Sequence, residues 1–167
     1  MKSTLLMAVL LAAPLTMAAS PAHAHGEKTH AQTAETVAEQ TEWGVAGNPM
    51  QLTRTITIAM TDAMRFTPDT LVVQEGDTVR FVVQNRGRML HEMVIGTPAA
   101  LARHAALMAR FPDMQHDEAY MVHVGPGQTG EIVWRFNRAG TFGFACLIAG
   151  HYEAGMRGTL NVTLIQG

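Results

Sequence analysis

Cys146-Leu-Ile-Ala-Gly-His151-Tyr-Glu-Ala-Gly-Met156 is the stretch on which the reading of this chain turns. It presents a thiolate, an imidazole and a thioether with four residues between each and the next, and a second imidazole, His91, stands upstream. Two imidazoles, one thiolate and one weak thioether suit a trigonal mononuclear copper site with a long axial bond. Zinc would call for four strong ligands in a tetrahedron. Copper exchanges an electron quickly only if its ligands barely move between Cu(I) and Cu(II), so the site is best built on a rigid β-sandwich from two separated places. His91 would come from the end of one strand, and Cys146, His151 and Met156 from the end of another and the loop after it. Gly150 and Gly155 allow that loop to turn back around one ion.

The sequence around the loop has the pattern such a scaffold needs. Thr53-Arg-Thr-Ile-Thr-Ile-Ala-Met60 alternates with period two and is rich in β-branched residues, the mark of a half-buried strand. Further runs follow at 70–74, 78–84, 91–95, 128–136, 141–146 and 157–165, separated by turn signals such as Glu75-Gly76-Asp77, Asn85-Arg-Gly87 and Gly125-Pro-Gly127. About seven or eight short strands spaced this way predict an all-β Greek-key sandwich. One segment breaks the pattern. Residues 97–110 begin with Thr97 as N-cap and Pro98 at the first helical position, are rich in Ala, and end before Pro112. This predicts a helix inserted between two strands, packing Leu101, Leu107 and Met108 onto the sandwich.

The N-terminus reads differently. Lys2, an apolar run from Leu5 to Ala19, and the Ala22-His23-Ala24 triplet form a secretory signal over residues 1–24. The apolar run spans about 15 residues and contains Pro14, whereas a stable membrane span takes about 20. Residues 25–50 are polar and weakly periodic, which predicts a flexible arm ahead of a single domain over 51–167, with Trp43 as the point where the arm docks. A lone cysteine in an exported chain cannot staple the fold and calls for another explanation, which metal ligation supplies. The net charge of −2 offers no basic face for nucleic acid, and no later segment is apolar for long enough to span a membrane. A monomer in the periplasm is the expectation.

Several further motifs, taken together and in order, carry a family likeness. Phe66-Thr-Pro68, Leu71-Val-Val, Gly76-Asp-Thr-Val-Arg-Phe81, Asn85-Arg-Gly87, His91-Glu92, Gly140-Thr-Phe and the Cys/His/Met loop together resemble the cupredoxins over about residues 52–165. Within that family the chain is most similar to the periplasmic copper-tolerance cupredoxins of the CopI type, through its His-containing mature N-terminus, His91-Glu92-Met93, the helical insertion and the long ligand loop. Plastocyanin-like carriers typically have a shorter Cys-to-His gap. The resemblance implies one type 1 copper centre at His91, Cys146, His151 and Met156, and protection of the periplasm from copper. Glu92 is left out of the ligand set, because a carboxylate would harden the site against Cu(I).

Two other clusters draw notice. If cleavage falls after Ala24, the amine and imidazole of His25 with the imidazole of His30 make a second, weaker Cu(II) site. Met108, Met114, His116, Met121 and His123 form a third group, read as packing because methionine is a common core filler. Three function classes compete: a copper-tolerance protein, a diffusible electron carrier serving a redox partner protein, and a copper enzyme. The enzyme is disfavoured because Cys146 is flanked by Ala145 and Leu147, where oxidases and nitrite reductases wire their second copper centre through histidines. The histidine-bearing arm favours tolerance over the carrier.

Overall fold

The computed structural model describes residues 39–165 except 113 and 115. The signal segment, His25 and His30 lie outside the described residues. The alternating run forms β2 (Arg54–Thr61), which pairs in parallel with β5 (Thr78–Asn85) and antiparallel with β3 (Arg65–Thr67). β8 (Thr129–Arg135) lies on the other side of β5, and β1 (Val45–Ala46) closes that edge, giving the order β1-β8-β5-β2-β3. The second sheet runs β4 (Thr70–Gln74), β10 (Arg157–Thr163), β9 (Gly140–Ala145), β6 (His91–Gly96) and β7 (Met121–Val124). From β3 onward the chain crosses repeatedly between the two sheets, the Greek-key sandwich the sequence predicts.

Between the sheets lies one apolar core. Phe81, Trp134 and Ile132 from the first sheet meet Met93, Ile95, Phe144 and Leu160 from the second, all buried. Phe66 packs edge-on to Phe144 at 5.1 Å between ring centroids. Each such large apolar side chain contributes about 1.5–3 kcal/mol by leaving water, so the scaffold is held by its core independently of any ligand.

Three expectations are corrected. First, the end of the presumed arm is part of the sandwich: Val45 pairs with Arg135 and Ala46 with Trp134, and the Trp134 indole N–H donates to the Trp43 carbonyl at 3.0 Å. Trp43 also meets Tyr120 edge-on at 5.2 Å, so docking occurs at Trp43 as expected but draws the following residues into the sheet. Second, ten strands are present among the described residues, because β1, β3 and β7 are too short to show a period. Third, α1 (Pro98–Arg110) buries Leu101, Ala105 and Met108, whereas Leu107 is 40% exposed. The buried three follow i, i+4, i+7 on one face, and Leu107 falls off that stripe. The helix starts as read, with the Thr97 hydroxyl accepting from the Ala100 N–H at 3.1 Å. No helix among the described residues is long and apolar enough to cross a membrane.

Candidate metal centre

β6 and β9 are neighbours in the second sheet, with Val94 opposite Ala145, so the start of β6 and the end of β9 lie side by side. His91 opens β6 and Cys146 directly follows β9. The chain then leaves the sheet and returns as β10, whose Arg157 pairs with Ala145. That register closes the ligand loop at its base: the Cys146 N–H donates to the Met156 carbonyl at 3.0 Å, and the Met156 N–H to the His151 carbonyl at 3.0 Å. Inside the loop the His151 N–H donates to the Ile148 carbonyl at 2.9 Å, and Gly155 turns the chain at φ 95°, a conformation costly for any residue with a Cβ.

The loop brings His91, Cys146 and His151 together, with their donor atoms within 4.8 Å of one another. Cys146 Sγ lies 3.2 Å from His151 Nδ1, and the two imidazole rings are 5.0 Å apart. Met156 is fully buried at the foot of the loop, as are His91 and Cys146, while His151 is 6% exposed.

Hydrogen-bond accounting marks the direction in which these groups face. His91 Nε2 is held by Asp62 Oδ1 at 3.1 Å, but His91 Nδ1 is buried with no partner. An unpaired buried polar nitrogen costs about 1–3 kcal/mol, and His91 is one of the three residues whose donor atoms are grouped. A metal ion would satisfy all three, so the residues present fit a soft, imidazole-accepting ion such as copper. Asp62 is the residue that sequence reading missed. Its carboxylate accepts from the Arg88 and Met89 N–H groups at 2.8 and 3.2 Å, which hold its pKa below the usual value. It thereby fixes the His91 ring, the outer-shell role that orients metal-binding imidazoles.

Protonation follows from burial. The Cys146 thiol is pushed up to about 12, chiefly by desolvation, although the Glu92 and Ile148 N–H groups work the other way. The metal-free thiol is therefore protonated at neutral pH, and an entering cation must displace that proton. His151 is shifted down from 6.5, first by burial and then by His91 nearby, which favours the neutral ring that a metal requires. Glu92, excluded from the ligand set by the sequence reading, accepts from the Leu147 N–H at 2.7 Å and so braces the ligand loop from the opposite face of β6.

Comparison with known proteins agrees with this geometry. The family described as copper binding proteins, plastocyanin/azurin family, matches residues 53–163. The chain is 47% identical over 150 residues to the copper-resistant cuproprotein CopI of Rubrivivax gelatinosus, covering 88% of each. It is 33% identical over 149 residues to the copper-resistant cuproprotein CopI of Pseudomonas aeruginosa, covering 72% of this chain and 82% of that one. Among solved structures, the dithionite-reduced auracyanin of Roseiflexus castenholzii superposes with a TM-score of 0.59 at 23% identity, over 67% of this chain and 98% of that one, a likeness of fold. The chain belongs to the plastocyanin/azurin family of copper-binding proteins, as a cupredoxin of the CopI type.

Proposed function

We propose that this protein confers copper tolerance in the periplasm, and that His91, Cys146, His151 and Met156 would hold one copper as a type 1 centre. The observation that carries the reading is the buried grouping of the His91, Cys146 and His151 donor atoms, with His91 Nδ1 left without a hydrogen-bond partner. Relatives that share a third to a half of its residues are copper-resistant cuproproteins, which supports tolerance over the electron-carrier alternative. Copper held by these residues would supply one-electron redox chemistry. The chain's own residues hold the imidazoles at fixed angles, keep water from the thiolate and exchange the thiol proton for the metal. Neither neighbour of Cys146 is a histidine, so the protein acts by binding copper and not as a two-centre copper enzyme. His25 and His30 of the arm add a weaker Cu(II) capture site.

A strain lacking the gene tests this reading. Increased sensitivity to copper with normal respiration, restored by the wild-type gene and not by Cys146→Ser, is the expected outcome. Impaired respiration with unchanged copper sensitivity would establish the carrier instead.

A further inference from the structure

β6 presents two faces with different tasks. Met93 and Ile95 join the core between the sheets, as does Cys146 beside His91, whereas Val94 packs under α1 with Leu101, Met108, Met121 and Leu147. Glu92 shares the outer face with Val94, because successive side chains alternate across a strand. In the register of β6 with β7, Glu92 stands opposite His123, and His123 Nε2 lies 2.8 Å from Glu92 Oε2. The connection from α1 to β7 carries His116 to the same place, its ring 6.2 Å from that of His123 and 4.4 Å from that of His104. Glu92, His116 and His123 line one open cavity of about 1070 Å³, together with the thioethers of Met108, Met114 and Met121.

The polar accounting of this cavity is incomplete. Glu92 is fully buried; one oxygen accepts from the Leu147 N–H, but the other makes no hydrogen bond, only the ion contact to His123. Both ring nitrogens of His116 are shielded from solvent and have no partner among the described residues. The two shielded ring nitrogens of His116, each costing about 1–3 kcal/mol when unpaired, form a deficit that packing does not explain, beside a buried carboxylate oxygen paired with His123. The spacing suits a shared ion. Two imidazoles bound to one metal at about 2.1 Å hold their ring centroids about 5–6.4 Å apart, and 6.2 Å lies inside that range.

We propose that His116, His123 and Glu92 form a second copper site on the outer face of β6, separate from the thiolate centre. Two imidazoles and a carboxylate are donors for Cu(II), the divalent ion at the top of the first-row affinity order. The three thioethers lining the cavity offer soft donors to the same metal when reduced. Having no thiolate, the site contributes no intense visible band. It adjoins the first centre through the chain itself: Glu92 follows His91, and its other oxygen takes the N–H of Leu147, which follows Cys146.

The test uses the mature chain carrying His25→Ala and His30→Ala, so that the arm contributes no copper. Loaded with Cu(II) and desalted, it should retain two coppers per chain by elemental analysis, one with the narrow and one with the wide parallel hyperfine splitting in its electron paramagnetic resonance spectrum. Adding His116→Ala and His123→Ala should reduce the count to one and remove the wide signal, leaving the visible charge-transfer band unchanged. His116 is half-buried in a connecting segment, so His116→Gln alone supplies the answer where the double change does not fold. It should weaken the second equivalent by more than the roughly 10–100-fold that loss of an outer-shell partner costs. A single copper in the starting protein, or two tightly held coppers in these variants, overturns the proposal. In every arm the visible band reports the thiolate centre independently.

Discussion

At the scale of the residue, the copper ligands are only part of what builds the centre. Asp62 ties His91 Nε2 to the Arg88–Met89 backbone, leaving Nδ1 buried without a partner. Asp62→Ala should keep the fold and the colour of the copper protein but lower copper affinity roughly 10–100-fold in competition with a chelator, the usual cost of losing an outer-shell partner; equal affinity would remove Asp62 from the site. Cys146 makes a second prediction. Its folded-state pKa lies near 12 against an ordinary value of 9.0, so above pH 9 the unfolded chain loses a proton that the folded chain keeps. Stability of the metal-free protein should therefore fall as pH rises through that window, by about 1 kcal/mol between pH 9 and 10. Denaturant titrations should show this slope in wild type and a shallower one in Cys146→Ser; identical slopes would mean the thiol is not buried in the metal-free protein. The proposed ligands stand out in the sequence because three of them share one short loop. Asp62 does not, since its contact to His91 joins residues far apart in the chain and an isolated aspartate after a strand carries no signal.

At the scale of the element, α1 and β7 shape the outer face of the second sheet. Leu101→Ala should cost about 2–5 kcal/mol, since it empties a buried position between α1 and the sheet, whereas Leu107→Ala should stay within about 0.5 kcal/mol. Chemical denaturation of both variants checks this, and equal losses would mean the helix is rotated from the orientation described. Helix existence and its first turn were readable from Thr97 and Pro98, but which of three apolar residues faces inward depends on the stripe completed by Ala105, a residue too small to attract notice. β7 was hidden for a related reason: Met121–Val124 is four residues long, and its meaning comes from lying against β6. Without that register, His123 and Glu92 are unrelated positions in the sequence, and the cluster around His116 reads as packing.

At the scale of the whole molecule, a sandwich closed by its own apolar core presents ligands from the end of β9, the start of β6 and the loop pinned between β9 and β10. Because most of the core lies outside that loop, copper removal should leave the β-type circular dichroism intact; a random-coil spectrum would show that the metal, and not the core, builds the fold. The two-sheet architecture was legible from alternation and turn spacing, while the docked segment from Thr41 to Ala46 was not, because a two-residue strand has no period and only Trp43 marks it. The central claim is that a thiolate from Cys146 joins His91 and His151 on one copper. It is tested most directly by the visible absorption of the Cu(II)-loaded protein beside Cys146→Ser. An intense thiolate-to-copper charge-transfer band in wild type that disappears in Cys146→Ser is the predicted result, and the same band in both, or in neither, would contradict it.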